Sequence, residues 1–229
     1  MKLYLGKEQV DISKEDMDNN YLGDEVCGME GKVYIYKKEV LKIYNDYLKY
    51  RHKLTLDEVN KMSFVDTKRI LLPKRAIFDK DLNFIGYTTT FKIEAPKERI
   101  GTIKVSDLIS DLELIKEDLK TISDNKIKLD DLNSGSLLMT QEGIFIGDPG
   151  AYRISPNSDI DNLYKYNLNE MNYFFTRIIF DNYLKITKKE KEKLKEYFDL
   201  REEFLTEKIQ KDIVNQKSSV NNAFKKILH

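Results

Sequence analysis

The stretch Asp130-Asp131-Leu132-Asn133-Ser134-Gly135-Ser136 leads into a short apolar run, Leu137-Leu138-Met139, and a turn at Gln141-Glu142-Gly143. A second apolar run then ends in acid and glycine: Ile144-Phe145-Ile146-Gly147-Asp148-Pro149-Gly150. Turn residues between two runs of strand formers predict a β-hairpin. Both strands are too apolar to face solvent on either side, so the hairpin is expected to be buried. A carboxylate stands at each open end. Asp131 and Asp148 are therefore expected near one rim, an arrangement suited to holding a metal and a hydroxyl.

Upstream, residues 1–20 are polar and read as a short strand followed by a loop. Gly23, Gly28 and Gly31 precede two strands, Val33-Tyr34-Ile35-Tyr36 and Glu39-Val40-Leu41-Lys42-Ile43-Tyr44, joined by Lys37-Lys38. Glycines let backbone N–H groups approach a phosphate, and an inset lysine supplies the countercharge. Residues 54–63 predict a helix with Leu56, Val59 and Met62 on one side and Thr55 as a cap. Its Glu58 is a candidate partner for Lys42 or an exposed helix glutamate. Strands follow at 75–78 and 84–93, so the first hundred residues predict an antiparallel sheet with one helix.

Residues 94–104, with Pro96 and Gly101, read as a connector. Beyond them the chain turns helical. Ser106 is placed to cap a helix carrying Leu108, Ile109, Leu112, Ile115, Leu119 and Ile122 at helical spacing, its acids forming a wet face. After the hairpin, residues 169–184 predict a strongly apolar helix. Residues 188–216 predict one charged amphipathic helix or a pair, and 217–229 a frayed, modestly basic tail.

The whole chain has 229 residues with 39 basic and 39 acidic side chains, so bulk charge gives no case for nucleic-acid or membrane binding. A single cysteine, Cys27, excludes an internal disulfide and suits a reducing compartment. His52 and His229 make no zinc pattern. No stretch approaches the ~20 apolar residues that span a bilayer, and the start lacks a signal-peptide core. A cytoplasmic protein is expected.

In this order the features resemble the protein kinase-like fold. Gly28 and Gly31, followed by Val33, resemble the second and third glycines of the nucleotide loop and the valine over the adenine. Val26 stands where the first glycine would be. Lys42 resembles the phosphate-binding lysine and Glu58 its helix partner. Asp131 resembles the catalytic-loop aspartate, and Asp148-Pro149-Gly150 resembles Asp-Phe-Gly, 17 positions further on. Asn133 is similar to the asparagine of bacterial and small-molecule kinases. Ser136 stands where the family has a metal-binding asparagine, Leu129 and Asp130 replace its His and Arg, and no Ala-Pro-Glu follows.

The resemblance implies an α+β, bilobal architecture. Residues 1–93 would form the β-sheet lobe, 94–104 a hinge, and 105–229 a reduced, mostly helical lobe. It implies an ATP-dependent phosphotransferase using Mg²⁺ and transferring the γ-phosphate to a hydroxyl, more in the manner of a protein Ser/Thr kinase than of a small-molecule kinase. Asp131, Lys42 and Glu58 would be catalytic. Gly28, Gly31, Val33, Lys42 and Asn133 would contact ATP, and Asp148 with Ser136 would hold metal. A pseudokinase serving as a nucleotide-binding or protein-interaction module is the alternative, and a small-molecule kinase a second.

Overall fold

The computed structural model describes residues 2–12, 15, 19, 31–45, 53–199 and 203–229. Gly28, Val26 and Cys27 lie outside them. The chain divides into two compact units. The first comprises Met1–Asp66, Leu71–Phe91 and Pro149–Arg153, and the second Thr67–Ile70, Lys92–Asp148 and Ile154–His229.

The first unit is built on a six-stranded sheet. Its strands are β1 (Lys2–Leu5), β2 (Glu8–Asp11), β3 (Gly31–Tyr36), β4 (Glu39–Tyr44), β5 (Arg75–Phe78) and β6 (Phe84–Thr90). They lie in the order β2-β1-β5-β6-β4-β3, and every pairing is antiparallel. The loop expected after the first strand is instead a second strand. Leu3 and Leu5 alternate inward from β1, and Val10 opposite Leu3 completes the hairpin. Four-residue strands carry too little alternation to stand out among charged neighbours. One face of the sheet buries Leu3, Leu5, Val10, Ile12, Leu41 and Ile77 as a single apolar cluster.

Helix α1 (Leu56–Met62) follows β4. Thr55 caps it in a reciprocal capping box with Glu58. Val59 and Met62 are its buried residues, while Leu56 is only half-buried.

The second unit is mainly helical. Helix α2 (Val105–Asp124) leads through β7 (Ile127–Lys128) to the hairpin β8 (Leu137–Thr140) and β9 (Gly143–Ile146). The hairpin pairs Leu137 with Ile146 and Thr140 with Gly143, and its strands are largely buried. Helix α3 (Ile160–Tyr173), capped by Asp159, starts nine residues before the expected apolar helix. It runs on through a π-helical stretch, Phe174–Phe180, and a last turn, Asp181–Tyr183. The charged region forms a pair, α4 (Lys188–Tyr197) and α5 (Leu205–Asp212).

Three expectations change here. First, residues 217–229 are not a frayed tail. Helix α6 (Val220–Leu228) buries Val220, Ala223, Phe224 and Leu228, and the Phe224 ring packs 5.4 Å from both Phe180 and Phe198. Second, Ser106 lies inside α2 and does not cap it. The N–H groups of Val105 and Ser106 donate instead to the carbonyls of Ser218 and Gln216, both at 3.0 Å. Third, the acids of α2 are not all wet. Asp111 and Asp118 share the apolar face and are buried, Asp118 to 2 % exposure.

Both buried acids have dedicated partners, as burial of a carboxylate requires. Asp118 accepts from the backbone N–H groups of Lys68, Arg69 and Ile70 at 2.5 to 3.0 Å. Asp111 pairs with the Arg69 guanidinium at 2.7 Å and accepts from the Ile144 N–H at 2.9 Å. Burial pushes both carboxyls above the ordinary aspartate range, with the hydrogen bonds pulling the other way. A side chain at Gly143 would collide with the Asp111 carboxylate, so the hairpin turn can approach α2 only as glycine.

Candidate functional site

Antiparallel register places Val33 directly opposite Lys42, and Lys42 opposite Tyr87. Cross-strand partners share a face, so Lys42 projects with Val33 and Tyr87 from the face opposite the Leu41 cluster. The alternation Leu41-Lys42-Ile43 produces this split. Gly86 pairs with Ile43, and a Cβ there would overlap the Lys42 carbonyl oxygen, so glycine allows β6 to close on β4 at the lysine. Gly31 opens β3 opposite Tyr44, where a Cβ would overlap the Ile43 carbonyl.

The Tyr44 hydroxyl, two residues from Lys42 and on its face, donates to the Leu54 carbonyl at 3.1 Å. This bond ties the entry of α1 to the strand that carries the lysine. The Glu58 carboxylate accepts from the Thr55 N–H at 2.9 Å and from the Thr55 hydroxyl at 3.0 Å. Glu58 thus serves the helix start as its N3 capping residue.

In the second unit the hairpin closes at its open end. Gly147 N–H donates to the Ser136 carbonyl at 2.8 Å, one pair beyond Leu137 and Ile146. Asp148 follows immediately and is exposed. The segment from Asp131 to Ser136 is a self-bonded loop. Asn133 Oδ1 accepts from Gly135 N–H at 2.8 Å, and its Nδ2 donates to the Asp131 carbonyl at 3.2 Å. Ser136 N–H donates to the Asn133 carbonyl at 2.8 Å, and Ser136 Oγ accepts from Asn133 N–H at 3.2 Å. Ser136 is 1 % exposed, whereas Asp131 and Asn133 are exposed.

Both aspartates adopt left-handed backbone, φ 54° at Asp131 and 60° at Asp148. Among described residues, Lys37, Leu82 and Lys126 are the other non-glycines with positive φ. Lys37 and Leu82 sit in strand-to-strand turns and Lys126 just past the end of α2, where such a conformation closes a turn. At Asp131 and Asp148 it falls on the two acids that flank the hairpin. Left-handed backbone costs an ordinary residue roughly 1 kcal/mol or more, and such strain concentrates at functional positions.

Two residues that build this region, Asn167 and Lys97, are not among the expected site residues. Asn167, fully buried on α3, accepts from Leu129 N–H at 2.9 Å and donates to the Ile127 carbonyl and the Ser123 hydroxyl, both at 2.9 Å. Its amide fixes the chain just ahead of Asp131. Lys97, in the short 3-10 helix Lys97–Gly101, donates to the Ser134 carbonyl at 2.5 Å. The one available signal was Asn167 itself, a polar residue amid the apolar face of a helix.

Among the described residues no group of three acidic, His or Cys side chains could hold a metal. An exposed carboxylate such as Asp148 fits Mg²⁺ all the same, because that ion commonly takes one or two carboxylates and completes its shell with phosphate and water. No helix of the described residues is long and apolar enough to cross a membrane.

No family model matches the sequence, and no curated protein matches it. Solved structures do. The Cydia pomonella granulovirus kinase PK-1 superposes with a TM-score of 0.50 at 14 % identity, over 76 % of this chain and 72 % of that one. A chain of the Chaetomium thermophilum CAK complex, bound to ATP-γ-S, gives 0.44 at 16 % identity, over 60 % of this chain and 48 % of that one. The chain has a protein kinase-like fold of the α+β class.

Proposed function

We propose that the protein is an ATP-dependent phosphotransferase that passes the γ-phosphate to a hydroxyl, with a protein Ser/Thr as the first acceptor class to test. The observation that carries this reading is the pair of exposed aspartates, Asp131 and Asp148, each held in left-handed backbone beside the same hairpin. The kinase-like fold supports it.

Phosphoryl transfer demands positioning and charge neutralisation more than covalent chemistry. Lys42, projecting beside Val33, would contact the α- and β-phosphates, and Gly28 and Gly31 would bring backbone N–H groups to them. Asp131 would orient the acceptor hydroxyl and take its proton. Asp148 would hold Mg²⁺, which supplies neutralisation of the phosphate charge when bound. Glu58 would fix Lys42, while also capping α1. Asn133 spends its side-chain amide on the loop, so its contribution to ATP binding would come from shaping residues 131–136.

Ser136 favours a second reading. Its hydroxyl is buried and accepts from Asn133 N–H, so it is a weak second metal ligand. A pseudokinase that binds nucleotide as an interaction module fits that feature. Thermal denaturation with ATP, with and without Mg²⁺, tests both, since a ligand of the native state raises apparent stability. Phosphotransfer predicts a shift that Lys42→Met removes, together with autophosphorylation or substrate phosphorylation that Asp131→Asn abolishes. A shift without transfer identifies the pseudokinase. No shift at millimolar ATP excludes both nucleotide-binding readings and leaves a protein-interaction module.

A further inference from the structure

Asp130, one residue before Asp131, has side-chain partners of its own. Its Oδ1 accepts from the Tyr166 hydroxyl at 2.8 Å and meets Lys128 Nζ at 2.9 Å. The Lys128 ammonium also lies 4.3 Å over the Tyr166 ring, so the three side chains contact one another. Tyr166 neighbours Asn167 on α3, whose amide holds the backbone at Ile127 and Leu129. Helix α3 therefore grips residues 127, 129 and 130 in turn, and the next residue is the left-handed Asp131. On its other side the Asn133 amide holds the Asp131 carbonyl. A residue in an unfavoured conformation persists only where its surroundings over-determine it.

We propose that Lys128, Asp130 and Tyr166 form a positioning clamp that keeps Asp131 in its left-handed conformation and so aims its carboxylate at the acceptor hydroxyl. The catalytic part of this inference rests on the reading of Asp131 as the acceptor-facing base. The clamp is charge-assisted at both contacts, which makes each stronger than a neutral hydrogen bond. Glu170, one turn along α3 from Tyr166, also interacts with the Asp130 charge. Burial and then the Asp130 charge push the Glu170 carboxyl up, while Lys128 opposes this. The hydrogen bond that Lys128 donates to Asp130 in turn pushes the Lys128 ammonium up. Lys128 is thus the cation that lets two acids share this corner, and Tyr166 supplies the direction. None of the three touches substrate in this scheme; they act through Asp131.

The test pairs amide hydrogen exchange with kinetics on the full chain carrying Tyr166→Phe, Lys128→Met or Asp130→Asn. Tyr166→Phe keeps the ring and removes only the donor, and Asp130→Asn still accepts from Tyr166, so at least one variant retains the fold by thermal denaturation. Exchange of amides 130–135 is expected to quicken roughly tenfold in Tyr166→Phe and Lys128→Met, and less in Asp130→Asn. Turnover is expected to fall about tenfold at unchanged KM for ATP. Unchanged exchange in both Tyr166→Phe and Lys128→Met overturns the clamp, whatever the activity. Faster exchange at unaltered kcat, or loss only through a raised KM for ATP, overturns its positioning role. Faster exchange in those variants, with a wild type that transfers no phosphate, supports the clamp as the holder of Asp131 and removes the phosphotransferase reading.

Discussion

Left-handed backbone at Asp131 separates stability from chemistry at a single residue. Glycine adopts that conformation without the Cβ clash, so Asp131→Gly is expected to leave stability unchanged or raise it by up to ~1 kcal/mol. The same change removes the proposed base, and general bases contribute roughly 10²–10⁴-fold. Denaturant unfolding and a phosphotransfer assay on one preparation check both halves; a variant that loses stability shows that the Asp131 side chain holds the loop together. Asp118 sets the opposite case. Its carboxylate satisfies three backbone N–H groups of residues 68–70. Asp118→Ala would strand them in a buried setting, at an expected cost of about 3 kcal/mol, measured as a shift in denaturation midpoint. The spacing of Asp111 and Asp118 puts both on the face of Leu108, Leu112, Ile115, Leu119 and Ile122, against the expectation that the acids of this helix form a wet face. The partners that make their burial tolerable come from segments more than 30 residues away, and no local pattern carries them.

At the level of elements, the hairpin at residues 137–146, the strand pair that carries Lys42 and the capped helix α1 follow from alternation, turn residues and capping chemistry in the sequence. Each of those signals is local. Strands β1 and β2, the docking of α6 and the true cap of α2 were not legible, because their stability comes from partners remote in the chain. Gly86 belongs with them: in sequence it is a glycine inside a strand, and only the register shows it pressed against Lys42. Gly86→Ala is expected to force β4 and β6 apart at that point, costing about 3 kcal/mol. Thermal denaturation reads the loss, and ATP affinity should fall with it if Lys42 holds phosphate. Phe224→Ala tests α6 in the same way. Removing a buried ring that packs on Phe180 and Phe198 is expected to cost 3–5 kcal/mol, whereas a loosely attached tail would lose almost nothing.

For the molecule as a whole, acid works in two directions. Exposed Glu8 and Glu142 are held below the ordinary carboxylate range, first by hydrogen bonds from Arg75 and Lys92. Their stabilising contribution is present above the unfolded value and is lost as pH falls through the folded one. Asp111 and Asp118 are raised, so the folded state holds their protons more tightly than the unfolded chain. Their contribution is greatest below the unfolded value, near pH 4, and is lost as pH rises through the folded value. Wild type should therefore gain stability relative to Asp111→Asn/Asp118→Asn as pH is lowered from 7 towards 4, in thermal melts across that range; a gap that narrows on acidification would reverse the assignment. Finally, the carbonyls that cap α2 belong to Gln216 and Ser218, more than a hundred residues downstream. Until the chain folds, those leading amides are left to water, and pairing segments so far apart in sequence is slow. The bonds from α2 to the stretch before α6 are therefore expected to form after those that tie α3 to residues 127–130, whose partners lie closer in the chain.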